Sequence, residues 1–118
     1  MGIKISSAPK LVHRKITIKE PVNVTEYTSH QVFVTFEIIP RSEAESVTKQ
    51  EGAPLMDRVL KGWGDPLNNG KNGFLDENGA PIEFNEENLT AINNVPWINS
   101  ALIKAYFEIC YGGAKLGN

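Results

Sequence analysis

The sequence predicts an α+β fold: a single domain in which antiparallel strands of the N-terminal half, with a further hairpin at 74–84, pack against C-terminal helices. Three observations predict it. Apolar residues alternate in 11–19 and in 32–39, the period of half-buried strands. Asn78-Gly79 stands between two short arms, a pair that favours a tight hairpin turn. From Asn85 the period becomes helical and ends at Gly112-Gly113, where glycine suits a helix C-terminus. A chain of 118 residues is one domain by length and buries roughly two-thirds of the surface its unfolded form exposes. Residues 1–10 and 113–118 are expected to be flexible tails.

Along the chain, LVHRKITIK at 11–19 sets Val12, Ile16 and Ile18 on one face, and VFVTFEII at 32–39 does the same for Val32, Val34, Phe36 and Ile38. Pro21 and the polar run TEYTSH separate the two, so the antiparallel pair is joined by more than a tight turn. Ser42 with Glu45 has the form of a capping box, which predicts a short polar helix from 43 to about 50. After Gly52, Pro54 opens a second short helix in which Leu55, Met56, Val59 and Leu60 share a face. GWGDPLNNGKNG then reads as a turn-rich loop with Trp63 as its one large anchor. In the 74–84 hairpin a type I′ turn at Asn78-Gly79 places Leu75 opposite Ile82, and Pro81, lacking a donor, belongs on an edge.

Asn85 is a suitable N-cap and Glu86 and Glu87 suit the positive end of a helix dipole, with Leu89 and Ile92 as the buried face. Pro96 opens the last helix. There Ser100, Lys104 and Glu108 form one polar stripe, and apolar residues occupy an arc of roughly 200°, against the ~100° a surface helix needs. The excess predicts that one side meets the core and another a partner, with Trp97, Ile103, Tyr106, Phe107 and Tyr111 as the candidate partner-binding or self-association residues.

Composition and motifs narrow the function. No apolar run approaches ~18 residues, so no membrane span is expected, and the start shows no secretory signal, which points to the cytoplasm. The first 19 residues carry five cations (Lys4, Lys10, Arg14, Lys15, Lys19) and no carboxylate, against a net charge of −2 for the whole chain. No nucleic-acid-binding signature accompanies them, so solvated charge on an edge strand is the preferred reading. Asp65, Asn69, Gly70 and Asp76 imitate the spacing of a calcium loop, but Leu67 stands where a ligand is needed and Asp76 where a bidentate glutamate closes the site. Asp76, Glu77, Glu83, Glu86 and Glu87 have hydration or capping roles that compete with acid–base chemistry. His13 and His30 are the only histidines, Cys110 the only cysteine, and no nucleophile elbow or phosphate loop is present. No catalytic residue, metal or cofactor is expected.

LKGW, then DENGAPIEFNEENL, then VPWINSALIKAYFE and the glycine-rich basic end GGAKLGN resemble, in order and spacing, the tail assembly chaperones of long-tailed bacteriophages and prophages. The resemblance covers residues 55–118. It implies a small non-enzymatic protein of the host cytoplasm that binds the tape measure protein, keeps it soluble and helps tail tube subunits polymerise around it. It also implies absence from the finished particle, and a longer frameshifted product of which a chain ending at Asn118 is the short form. Two other functions stay open at this point: a structural tail subunit of the virion, and a small nucleic-acid-binding regulator using the basic N-terminus.

Overall fold

The computed structural model describes residues 2, 3, 9–49, 55–69 and 71–112. The fold is α+β, as the alternation and the helical period predict. Strands β1 (Lys10–Pro21) and β2 (Tyr27–Ile38) form a long antiparallel pair, followed by helices α1 (Arg41–Lys49) and α2 (Leu55–Val59) and a short third strand, β3 (Leu60–Trp63). Helices α3 (Glu86–Asn93) and α4 (Pro96–Tyr111) complete the chain, and the sheet order is β1-β2-β3. Of the two expected tails, 113–118 and most of 1–10 lie outside the described residues, while Lys10 is the first residue of β1.

Both long strands extend past the apolar runs. The polar residues Tyr27–His30, expected in the link, belong to β2, and the connection shrinks to 22–26, where Asn23 Oδ1 accepts the Thr25 and Glu26 amides. Cross-strand polar contacts hold this part together without burial. His30 Nε2 meets Glu20 Oε1 at 2.8 Å, Gln31 Nε2 donates to Thr17 Oγ1 at 2.7 Å, and His13 Nδ1 shares a 2.7 Å hydrogen bond with Thr35 Oγ1. The apolar face starts where the core starts: Ile18, Val32, Val34 and Phe36 are buried.

Three further expectations are corrected. Helix α1 begins at Arg41, with the Ala44 amide bonded to the Pro40 carbonyl, so Ser42 lies inside the helix and does not cap it. Leu60 is buried as expected alongside Leu55, Met56 and Val59, but as the first residue of β3 and not as the end of a helix. The free edge of β2 recruits it: Val34, Thr35 and Phe36 pair with Trp63, Gly62 and Leu60 across a bulge.

The 74–84 segment is a turn with a single bridge and not a second strand pair of the sheet. Only Gly79 has a positive φ (81°), whereas a type I′ turn needs it at both central residues. Asp76 sets the outcome: Oδ1 accepts the Asn78 and Ala80 amides, and the Asp76 carbonyl accepts from Gly79, giving a type I turn closed by a left-handed glycine. The loop is therefore one residue longer and Leu75 faces Pro81, not Ile82. The shift buries Phe74 beside half-buried Ile82 and leaves Leu75 exposed.

Trp63 does anchor the irregular stretch. Its ring meets Phe74 at 5.1 Å and Phe84 at 4.8 Å edge to face, and Nε1 donates to the Ile82 carbonyl at 2.7 Å. A Cβ on Gly73 would stand 3.0 Å from Trp63 Cδ1 and 3.2 Å from the Gly64 nitrogen, so a side chain here would press against both by a few tenths of an ångström. Asn85 caps α3 by accepting the Asn88 amide at 2.8 Å, and Gly112 (φ 61°) ends α4 as expected.

Arg58 joins three elements through Nε to Glu43 at 2.6 Å and Nη1 to Glu37 at 3.1 Å. Its hydrogen bonds to Glu43 first, and then to Glu37, raise its pKa against the opposing effect of burial. Deeper in, Tyr106 Oη accepts the Ile39 amide at 3.1 Å, and its ring meets Phe36 at 5.4 Å. Burial holds this phenol's pKa well above its ordinary value, outweighing the Ile39 amide, which lowers it.

Tyr106→Phe keeps the ring but leaves the Ile39 amide without a partner, and is expected to cost about 1–3 kcal/mol in urea unfolding. The raised phenol pKa favours the protonated, folded form, so its contribution is complete below about pH 10 and is lost as pH rises beyond that. Thermal scans should show an alkaline fall in Tm that Tyr106→Phe makes shallower.

Candidate functional site

The site follows from how α4 lies on the sheet. Ile98, Leu102 and Tyr106, at i, i+4 spacing, form one buried row against the apolar face. The expected polar stripe, Ser100, Lys104 and Glu108, is exposed. Between row and stripe the helix has two half-buried flanks. Ile103, Phe107, Cys110 and Tyr111 form one; Trp97, Ala101, Ala105 and Ile109 form the other.

The five residues singled out from the sequence divide accordingly. Tyr106 is fully buried (0% exposed), so it holds α4 on the sheet and presents no surface to a partner. Ile103, Phe107 and Tyr111 lie together on the first flank, with Phe107 and Tyr111 ring centroids 5.9 Å apart and the Arg41 guanidinium 5.7 Å over the Tyr111 ring. Trp97 lies on the second flank. The structure does not bring it together with the other three.

The second flank faces the free edge of β1 across a groove of about 820 Å³. Its walls include Arg14, Ile16 and Lys19 of β1 and Trp97, Ala101, Lys104, Ala105 and Ile109 of α4. The sequence marked these cations only as an uneven charge distribution; Lys104 on α4 joins them, and no periodicity within one element signals that juxtaposition.

Cys110 lies on the first flank beside Tyr106, where burial pushes its thiol pKa up, the opposite of activation. Among the described residues no group of three His, Cys, Asp or Glu side chains is placed to hold a metal ion, and no buried side-chain N or O atom lacks a partner. No helix among the described residues is long and apolar enough to cross a membrane. The chain matches no protein-family model, no curated protein and no solved structure with which it was compared.

The difference between row and flank is measurable as stability. Leu102→Ala removes a side chain with no exposure and is expected to cost about 2–5 kcal/mol, while Ile103→Ser, at a half-buried position, costs clearly less. Urea midpoints of the two variants check the order.

Proposed function

We propose that this chain is a tail assembly chaperone of long-tailed bacteriophages or prophages, a non-enzymatic cytoplasmic protein that binds the tape measure protein, keeps it soluble and assists tail tube assembly. The observation that carries this reading is the flank of Ile103, Phe107 and Tyr111, apolar and aromatic yet only half covered by the chain's own elements. A long helical client has an apolar stripe of its own, and an aromatic row on a rigid helix offers the complementary surface. Exposed carboxylates elsewhere on the surface, at Glu83, Glu86, Glu87 and Glu108, are compatible with this role, because surface charge opposes self-aggregation. The ordered segments from LKGW to GGAKLGN supply the specific client class through their resemblance to this family.

The test is co-expression with the tape measure protein of the same phage or prophage. The native chain should keep that protein in the soluble fraction and co-purify with it. The double variant Ile103→Ser, Phe107→Ser, verified as folded by circular dichroism, should lose at least tenfold in affinity, about 1.4 kcal/mol. Unchanged co-purification of the folded variant would remove this flank from the client site.

A further inference from the structure

We infer that the groove between β1 and α4 is a strand-addition site that takes an extended acidic segment of a partner protein. It lies on the opposite flank of α4 from the surface proposed for the helical client, and the two readings stand or fall separately.

The first reason is the backbone. β1 ends the sheet, and among the described residues no strand pairs with its outer edge. The direction of its free groups follows from β2: the Phe33 amide donates to the Asn72 carbonyl and the Phe33 carbonyl accepts from the Gly64 amide, both at 2.8 Å. Phe33 therefore spends its main chain on the side away from β1, and its partner Lys15 sits in a non-hydrogen-bonded pair. By alternation, His13, Lys15, Thr17 and Lys19 turn their N–H and C=O groups to the open edge. Lys15, Thr17 and Lys19 are among the residues that line the groove. At about 3.3 Å per residue, the lined stretch from 14 to 19 matches an added strand of about five or six residues.

The second reason is the wall opposite. Trp97, Ala101, Ala105 and Ile109 recur every four residues and present a shallow apolar surface in which small alanines leave room for alternate side chains of an incoming strand. The third reason is charge. Arg14, Lys15, Lys19 and Lys104 line the groove against one carboxylate, Glu108, and among the described residues none of these five has an ion-pair partner.

Charge also selects the occupant. Cations on an edge strand repel a like strand, so a second copy pairing through β1 would set Arg14, Lys15 and Lys19 near their own counterparts. The chain's own terminal segments, 1–8 and 113–118, carry Lys4 and Lys115 and no acidic side chain. An acidic strand turns the same cations from a deterrent into a recognition element.

The probe is a synthetic peptide alternating valine and glutamate over seven residues, added to the full chain labelled with ¹⁵N. The expected result is binding with a Kd tighter than about 1 mM, which weakens as salt rises and shifts the amides of Lys15, Thr17 and Lys19. A peptide with lysine in place of glutamate should bind at least tenfold more weakly. So should the acidic peptide N-methylated on its pairing edge, a control that leaves the protein untouched. The variant Lys15→Glu, Lys104→Glu should reverse the preference between the two peptides.

Equal binding of both peptides, indifference to N-methylation, or shifts confined to other amides would overturn the proposal. Tighter binding of a single-stranded oligonucleotide than of the acidic peptide would overturn it in favour of nucleic acid. A concentration-dependent dimer in sedimentation that shifts the same β1 amides would assign the edge to a second copy.

Discussion

One apolar sheet face needs a cover, and most of this fold follows from what supplies it. The cover is the row Ile98, Leu102 and Tyr106, fixed by a contact that spans most of the chain: the Tyr106 hydroxyl accepts the Ile39 amide at the point where β2 ends. That amide lies just past the sheet and would otherwise be a buried donor without a partner, so the bond satisfies the backbone and sets the position of α4 at once. The edge-to-face contact of Tyr106 with Phe36 adds orientation about the helix axis. The smaller helices fill in around this axis. α2 inserts Leu55, Met56 and Val59 into the same core, and Arg58 ties it to β2 and α1 with partly exposed ion pairs whose contribution is small beside the burial.

Much of this was legible from residue order. The β1 and β2 alternation, the Asn85 cap, the Pro96 start and the glycine stop all depend on neighbours a few residues apart, which a sequence displays directly. Two failures came where a distant element decided. LKGW has a leucine at helical spacing and a glycine that breaks helices, and only the vacant edge of β2 makes it a strand. TEYTSH is polar on both faces because the hairpin runs out beyond the core, so no periodicity marks it; cross-strand pairs such as Glu20 with His30 hold it instead. The Asn78-Gly79 turn failed on local chemistry, since the Asp76 side chain claims two amides and moves the register by one residue.

The candidate surfaces were half legible for a related reason. A helical wheel shows that α4 has more apolar arc than one interface uses, but not which residues the sheet takes. Tyr106 and Phe107 are adjacent aromatics with the same sequence-level claim, and the sheet buries the first while leaving the second half covered. The cations of the N-terminal segment were visible as charge alone. Their meaning depends on Lys104, which is far away in sequence and becomes a neighbour only when α4 crosses the edge of β1.

Geometry explains why two flanks are left over. Helix α4 lies along β1 while the short α2 packs against β2 and β3, so the sheet is covered and little remains to cover the flanks of α4. In a larger domain a second long helix would lie beside α4 and absorb its flanks. Here α3 is a helix of only eight residues, and the side of α4 toward β1 opens onto a groove. Apolar surface with no internal neighbour stays soluble only when charge borders it or a partner takes it. The two flanks of α4 are bordered differently. Cations from β1 and Lys104 line one, while the aromatic row on the other has Arg41 over the Tyr111 ring. Surfaces so different in shape and charge suit different partners, a strand with carboxylates at the edge and an apolar helix on the aromatic row. On the two proposals the partners meet the same helix on separate flanks, with the buried row Ile98, Leu102 and Tyr106 between them.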